Sequence, residues 1–539
     1  MKSNLGRAFL RRNTLVLMLP FLFSCTMYSM FDNGMKSLSN IDPVDPSSFD
    51  QDKDGIASFS STQLLPYTYK DLYRSKYADT VDSTGDVRLL VVPIEFVGYE
   101  FKGNFETDLN LALSGDNNES LHSESLASFY KKSSFGKLNL NFSIAPIYKT
   151  GLTPYEAYQK SFTSAEELGL DDTDNAIYLV QAAVESARQR SGFDFKQFDR
   201  DGNGNIDGVI AVYSCPNSRD NATIGSFDTH VFYWAYTYWA LKNANREKPT
   251  LNTYFWMSYD FLYNKEGGLD GHTLIHEFGH MMGLDDYYIE DSCPYKDVAS
   301  FLPLGLSDMM DGNILDHNAF SKAILGWIEP KVIYDSAVYQ LEKANKAGDC
   351  FLIPSSSWNG TLFDEYFLVE LYTPDGLNEL DSTNKYPNRP LGFTIPGVKI
   401  YHVDARVVAT TIRLNGKGGI EKEESVYYNG ADIKADHYGY ERRYFEVGAS
   451  NCSKNQNRAD VHFSLIHLME ATGVNTFMEG SFFKNETLFQ EGDEFTLDEY
   501  GYEFMPKIRT LNNGDAFPFS IRVDSVNNEK ATITITKSK

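Results

Sequence analysis

The sequence predicts an α+β protein of more than one domain, in which a mixed domain of helices and strands precedes a β-rich, sandwich-like C-terminal region. Its 539 residues are too many for a single hydrophobic core. Strand and helix patterns interleave in the first part, and short alternating strands between Gly, Asn and Asp turns follow Pro330. The predicted segments are a signal peptide (1–25), a tether (26–84), a mixed domain (85–335) and a β-rich region (336–539).

Composition excludes one class of partner. Hydrophobic residues make up 42% of the chain and aromatic residues 14%, as in folded globular proteins. The net charge of −25 repels the phosphates of nucleic acid, so we expect no nucleic-acid partner. The same acidity supplies many carboxylates that suit calcium.

The N-terminus has the pattern of a bacterial export signal. A basic stretch precedes "TLVLMLPFLFSC", an apolar run too short to span a bilayer. The ending Leu22-Phe23-Ser24-Cys25 resembles a lipobox, in which the cysteine is lipidated after cleavage. We therefore expect attachment to the membrane at the bacterial cell surface through Cys25, with plain secretion as the alternative.

The mixed domain follows in order. "VRLLVVPIEFVGY" from Val87 predicts a strand, and "ESLASFYKKSSFGKLNLNFSI" a helix, a turn at Gly136 and a strand. "DNAIYLVQAAVESARQRSG" has helical periodicity that stops at Gly192. "GVIAVYSC" and "HVFYWAYTYW" predict further strands, with "TYFWMSYDFLY" as a candidate fourth, before a helix over about 270–282.

The C-terminal region reads as β-structure. "YFLVELYTP", "GVKIYHVDARV", "FPFSIRVDSV" and "KATITITK" alternate apolar and polar residues between turns. Four cysteines, Cys215, Cys293, Cys350 and Cys452, are widely spaced and contain no CxxC pair, which excludes a zinc-thiolate site. Free thiols and three disulfide pairings remain open.

A metal-site motif lies in "HTLIHEFGHMMGLDDYY". His276 and His280 are four residues apart, so on a helix both imidazoles lie on one face. Glu277 is beside them and can take a proton from a water bound there. This HExxH pattern predicts two zinc ligands and a general base.

The residues after the motif predict a third ligand. Gly283 can adopt the left-handed conformation that ends a helix, and Asp286 lies where the returning chain would reach the metal. Three protein ligands leave one position for water, as in a catalytic site. A fourth would close the site, so His272 is expected to have a supporting role. Asp285 is one residue too close to Gly283 and is interpreted as a turn residue.

The motif also carries a family resemblance. HExxHxxGxx followed by His or Asp is the metzincin signature, and "HEFGHMMGLDDYY" resembles the immune inhibitor A family of bacterial zinc metallopeptidases, with Asp285 where the family usually has proline. "ESLASFYKKSSFGKL" and "LGLSDMMDGNILDHNAFSKAILGW" also resemble that family. The similarity covers about residues 87–330, with several β segments beyond.

The resemblance implies a zinc endopeptidase that hydrolyses protein or peptide substrates. It places the Met-turn, the methionine beneath the zinc of metzincins, at Met310, with Met309 as the alternative. It makes His317 part of a supporting helix. Tyr288 is a candidate to hydrogen-bond the oxyanion, with a packed tyrosine as the equal alternative.

"FDRDGNGNIDGVI" carries a second metal pattern. It matches the start of an EF-hand loop, with a glycine at the sharp turn, but Ile210 replaces the twelfth-position glutamate. We interpret the loop as a structural calcium site, against an Asn/Gly-rich turn. The predicted oxygen ligands are Asp199, Asp201, Asn203, Asn205 (by its carbonyl) and Asp207.

Two other functions remain open at this stage. One is a surface-binding lipoprotein whose peptidase domain is degenerate, against which the intact motif argues. The other is a zinc amidase that acts on cell-wall peptides. The substrate, the cleavage preference and the route of activation cannot be read from the sequence.

Overall fold

The computed structural model describes residues 56–58, 70, 72, 80–115, 124–168, 176–217, 232–239, 244–264, 267–289, 301–414, 420–427, 442–451, 463–505 and 509–538. Helices and strands are both abundant, which confirms a mixed α+β protein. The predicted signal peptide with Cys25, most of the tether, Cys293 and Cys452 lie outside the described residues. Cys215 and Cys350 are buried free thiols. None of the helices described has the length and apolarity to cross a membrane.

The first part of the chain alternates strands and helices. Its strands are β1 (Ile56–Ser58), β2 (Gly85–Glu95), β3 (Leu138–Ile144), β4 (Tyr148–Lys149), β5 (Asn205–Ile206), β6 (Val209–Tyr213), β7 (Tyr236–Trp239), β8 (Thr250–Leu251) and β9 (Thr253–Ser258). Its helices are α1 (Phe105–Ser114), α2 (Leu126–Ser133), α3 (Pro154–Leu168), α4 (Ile177–Arg190) and α5 (His272–Met281). The predicted helices before Gly136, before Gly192 and at the motif are confirmed, whereas α1 and α3 were not predicted.

The central sheet of this part has the order β3-β2-β6-β9-β7, with β4 also paired to β2. All these pairings are parallel except that of β7, which runs antiparallel to β9 at the edge. Both faces of the sheet are covered. Leu89 and Val91 of β2 pack into a core with α1, α2 and α5, whereas Leu90 and Val92 pack into a second core with α4. Burial on both faces explains the continuous apolar run of β2.

The second part is dominated by strands. They are β10 (Lys331–Ile333), β11 (Ala337–Glu342), β12 (Cys350–Pro354), β13 (Glu365–Tyr372), β14 (Gly397–Asp404), β15 (Val407–Leu414), β16 (Ile420–Tyr427), β17 (Arg442–Val447), β18 (Ile466–Leu468), β19 (Glu494–Thr496), β20 (Phe519–Val526) and β21 (Lys530–Lys537). Two short helices precede β10, namely α6 (Met309–Gly312) and α7 (Ala319–Ile324). The helices of the second part are α8 (Ala344–Ala347), α9 (Glu379–Thr383) and α10 (Leu497–Phe504).

Two of its sheets form a sandwich. A six-stranded sheet has the order β1-β10-β12-β13-β14-β18, and a four-stranded sheet has the order β11-β21-β20-β19. Phe367 and Val369 of β13 face Ile521 and Ile533 of the smaller sheet in a third core. A separate three-stranded sheet, β16-β15-β17, continues from β14.

Packing is continuous across residue 335. Tyr366 and Leu368 of β13 alternate with the residues that face the smaller sheet, and they belong to the same core as Phe320 and Trp327 near α7. The large sheet thus has the small sheet on one face and the helical layer of the first part on the other. This arrangement brings residues of the β-rich region close to the motif helix.

Candidate metal centre

The motif helix α5 is buried on nearly all sides. Leu274, Ile275, Phe278 and Met281 pack into the core beneath the central sheet. The helix has no side-chain cap at Gly271. Instead, the backbone N–H of His272 donates to Oδ1 of Asp270 at 2.9 Å, which places a carboxylate at the positive end of the helix dipole.

A tight turn follows the helix. Gly283 has a φ of 101°, the left-handed conformation predicted for it. Its N–H donates to the carbonyl of His280 at 2.8 Å, and the N–H of Leu284 donates to the carbonyl of Gly279 at 3.1 Å. The chain therefore reverses beside the last turn of α5 and returns with Asp286, whose side chain is completely buried.

The three predicted ligands converge. Nε2 of His276 lies 2.9 Å from Oδ1 of Asp286, and Nε2 of His280 lies 3.2 Å from the same oxygen. One ligand atom from each of the three residues falls within 4.8 Å of the others. Two imidazoles and one carboxylate are a donor set that suits zinc.

The Nδ1 nitrogen of each histidine, on the other side of the ring from Nε2, forms a hydrogen bond with a backbone carbonyl. Nδ1 of His276 lies 2.8 Å from the carbonyl oxygen of Met309, and Nδ1 of His280 lies 2.8 Å from that of Leu284. A carbonyl oxygen can only accept, so each Nδ1 carries a proton. In the neutral tautomer the lone pair of each Nε2 then points toward the metal position. This backbone support is typical of histidines that bind metals.

Asp286 has no other means of satisfying its charge among the described residues. Both of its oxygens are buried and accept no hydrogen bond in that part of the chain. The Nε2 atoms of the two histidines are close enough to Oδ1 for ion pairs. A buried carboxylate without donors is costly, so the three side chains need a shared cation, either a proton or a metal ion.

The charges of the site follow from this contact. Burial by itself lowers the pKa of His280, but the carboxylate of Asp286 outweighs burial and raises that pKa to about 10. Burial by itself raises the pKa of Asp286, but the two histidines hold it well below its usual range. A metal ion at this position would take the place of the proton that His280 otherwise carries beside Asp286.

Glu277 is buried next to His276 on the motif helix. It keeps 7% of its surface exposed, whereas Asp286 has none. Its Oε2 accepts no hydrogen bond from any described residue, and burial raises the pKa of its carboxyl group. The hydroxyl of Thr237 in β7 donates to its backbone carbonyl at 3.0 Å, which joins α5 to the edge of the central sheet. Oε2 is therefore available to a water or substrate.

Met310 lies directly beneath the helix. A Cβ atom at Gly279 would come within 2.5 Å of the Met310 sulfur, so a larger residue at this position of the motif would displace the Met310 side chain. The carbonyl of Met310 accepts from the N–H of Tyr287 at 2.8 Å. Met310 thus contacts α5 through its side chain and supports the ligand turn (Gly283–Tyr287) through its backbone, while the carbonyl of the adjacent Met309 supports His276.

Comparison with known proteins adds no family assignment. No protein-family model matches the chain, and no curated protein shows significant similarity to it. The resemblance to the immune inhibitor A family stays a prediction based on the quoted motifs.

His272 makes contacts different from those of the ligands. Its Nδ1 bonds Oδ1 of Asp270 at 2.7 Å, and its Nε2 lies 3.5 Å from Oδ1 of Asp381 in the β-rich region. The Tyr386 hydroxyl donates to the other oxygen of Asp270 at 2.5 Å. Burial by itself lowers the pKa of His272, but the two carboxylates raise it to about 9. His272 therefore joins the start of α5 to the second half of the chain.

The other residues considered in the sequence analysis lie near the candidate metal centre. His317 is buried against Tyr130 and Trp327, and burial lowers its pKa to about 3. Tyr288 is half-buried two residues beyond Asp286, and its role at the oxyanion stays a prediction. The carboxylate of Asp285 accepts from the Ser450 hydroxyl at 2.7 Å.

Several supporting residues were missed by sequence reasoning. The sequence contains no local signal for the Met309 carbonyl, the Thr237 hydroxyl, or the contacts made by Asp381 and Asn451. Tyr287 precedes Tyr288, the residue predicted to contact the oxyanion. Tyr287 is buried, and its hydroxyl forms a hydrogen bond with Oγ of Ser321 at 2.7 Å.

The second predicted metal loop follows a 3₁₀ turn at Phe195–Phe198, includes the short strand β5 and ends just before β6. Oxygens of Asp199, Asp201 and Asp207 lie within 4.8 Å of one another. Gly204 has a φ of 93°, and a Cβ there would come within 2.7 Å of the Asn245 backbone nitrogen. Its N–H donates to Oδ2 of Asp199 at 2.9 Å. The glycine is thus required at the sharp turn, as predicted.

Two oxygens of this loop have no partner. Oδ1 of Asp199 and the side-chain oxygen of Asn205 are buried and accept no hydrogen bond from the described residues. Burial also raises the pKa of Asp207 to about 7. The prediction used the backbone carbonyl of Asn205, whereas the unsatisfied atom is in its side chain. Asn203 uses its side-chain oxygen to accept from the N–H of Asn205 at 2.8 Å.

Proposed function

We propose that this chain is a zinc-dependent endopeptidase with a metzincin-like catalytic domain, exported and anchored by a lipid at Cys25. His276, His280 and Asp286 would hold the zinc. The observation that carries the proposal is that both histidines donate Nδ1–H to backbone carbonyls and direct Nε2 at a buried carboxylate that accepts no hydrogen bond from the described residues. Such an arrangement is expected where a metal ion is bound.

Among the residues of the chain, Glu277 carries out the proton transfers of the proposed reaction. When bound, zinc would polarise the scissile carbonyl and lower the pKa of water toward neutrality. Glu277 accepts the proton of the attacking water and delivers it to the leaving amine. Its raised pKa suits this exchange because a base with a pKa closer to the working pH both accepts and releases a proton readily.

A chelation experiment tests the proposed function. The full chain should contain about one zinc per molecule and hydrolyse casein. A zinc chelator should abolish hydrolysis, and added zinc should restore it. Hydrolysis of cell-wall peptides but not casein would favour the amidase, and bound zinc without any hydrolysis would favour the binding lipoprotein.

We also propose that the Asp199–Asp207 loop binds a structural calcium ion. The support is that Asp199 and Asn205 each contribute a buried oxygen that accepts no hydrogen bond from the described part of the chain, beside the carboxylates of Asp201 and Asp207. Bound calcium would neutralise the repulsion among these groups. The absent twelfth-position glutamate should make binding weaker than in a complete EF-hand loop.

Calcium should stabilise the folded chain in a way that depends on Asp201. At a hundredfold excess over its dissociation constant, an ion that binds only the folded state adds about 2.7 kcal/mol. We therefore expect calcium to raise the melting temperature of the wild type and leave Asp201→Ala unchanged. Asp194→Ala is the matched control, since Asp194 is exposed just before the loop and should keep the response. Equal melting of wild type with and without calcium would show that the loop is only a turn.

A further inference from the structure

One short segment far along the chain holds both neighbours of the third ligand. The Ser450 hydroxyl donates to Oδ2 of Asp285 at 2.7 Å, across 165 residues of sequence. Nδ2 of Asn451 donates to the carbonyl oxygen of Tyr287 at 3.1 Å. The residues immediately before and after Asp286 are therefore both bonded to adjacent residues of the β-rich region.

Asn451 is itself held rigidly. It is 2% exposed, its Nδ2 also donates to the carbonyl of Ile466 at 2.7 Å, and its Oδ1 accepts from the Ile466 N–H at 3.2 Å. Ile466 begins β18, which pairs with β14 at Val403. The amide of Asn451 thus connects the ligand turn to the six-stranded sheet.

The other hydrogen bonds of the turn hold different atoms from those that Ser450 and Asn451 contact. Gly283 and Leu284 are bonded back to α5, and the N–H of Tyr287 is bonded to Met310. These bonds fix the start of the turn and, at its end, the backbone N–H of Tyr287. The Tyr287 carbonyl and the Asp285 side chain are fixed from the opposite side by Asn451 and Ser450. Small errors in the position of a ligand weaken metal binding.

We propose that Ser450 and Asn451 are positioning residues that set the place of the Asp286 carboxylate for the metal. This inference rests on the proposed zinc site. It makes the β-rich region part of the metal centre, so that the centre is assembled only when residues of both halves of the chain have packed.

The test compares metal binding by full-length variants. Asn451→Ala should bind zinc about 10- to 100-fold more weakly than the wild type, as expected when a group that supports a ligand is lost. Ser450→Ala should weaken binding in the same direction, and Ser450→Thr, which keeps the hydroxyl, should restore it. Affinity is measured by competition with a chromophoric chelator. The visible absorption of bound Co²⁺ reports ligand geometry, and it should change in the two alanine variants.

Asn475→Ala is the matched control. Asn475 is also a buried asparagine of the β-rich region, and its Nδ2 donates to the carbonyl of Glu503 at 3.2 Å. This variant loses a buried hydrogen bond away from the ligand turn, so its zinc affinity and Co²⁺ spectrum should equal those of the wild type.

The outcomes separate this inference from the proposed function. Zinc affinities and Co²⁺ spectra of both alanine variants equal to those of Asn475→Ala would overturn the positioning role while leaving the zinc site intact. A wild-type chain without zinc would overturn the site itself. If Asn451→Ala does not fold, the comparison of Ser450→Ala with Ser450→Thr decides, and equal zinc affinity of those two would count against the proposal.

Discussion

Replacing Glu277 by glutamine should reduce peptide hydrolysis at least about a hundredfold while zinc stays bound. Glutamine keeps the size of the side chain but cannot accept the proton of the attacking water. The metal ligands are untouched, because His276, His280 and Asp286 use none of the atoms of Glu277. Hydrolysis of a peptide substrate and zinc content should be measured on the same preparation.

Glu379→Gln is the control for this variant. It removes the same charge from an exposed position on α9, so its activity should match that of the wild type. Glu277→Gln protein that holds its zinc and still hydrolyses peptides at nearly the normal rate would show that another group is the base.

Replacing Asp286 by alanine should weaken zinc binding by more than the roughly hundredfold that losing a supporting residue costs. Alanine removes the only carboxylate of the predicted ligand set, and it leaves His276 and His280 without their shared negative partner. The loss should appear in a zinc titration and as inactivity that excess zinc partly reverses.

Asp285→Asn is the matched control at the neighbouring position. The amide oxygen can still accept the hydrogen bond from Ser450, so zinc affinity should be close to that of the wild type. Stronger loss of zinc in Asp285→Asn than in Asp286→Ala would mean that the ligand turn has been assigned with the wrong aspartate.

Local sequence was enough to predict the ligands. The helical repeat places His276 and His280 on one face, and the left-handed Gly283 brings Asp286 back to them. Each of these features depends on backbone geometry within eleven residues, which a periodic pattern reports directly. The glycine at the sharp turn of the Asp199–Asp207 loop was predictable for the same reason.

Tertiary structure decided how those ligands are held. The carbonyl of Met309 supports His276 from 33 residues away, and Asn451 reaches the ligand turn from 164 residues away. Asp381 approaches His272 from the segment that follows β13. No pattern in the sequence brings these groups together, because their approach depends on which face of the six-stranded sheet packs against the helical layer.

The sequence by itself predicted a mixed α+β chain, three side chains that converge as candidate ligands, and a candidate general base beside them. Only the tertiary structure decided that β7 forms an antiparallel edge next to Glu277 and that the β-rich region bonds both neighbours of Asp286. The physical reason is the separation along the sequence of the residues that interact. Helix periodicity and turn conformation arise from steric limits on neighbouring residues, whereas contacts between distant segments arise from the burial of shared apolar surface, which many sequences satisfy in many ways.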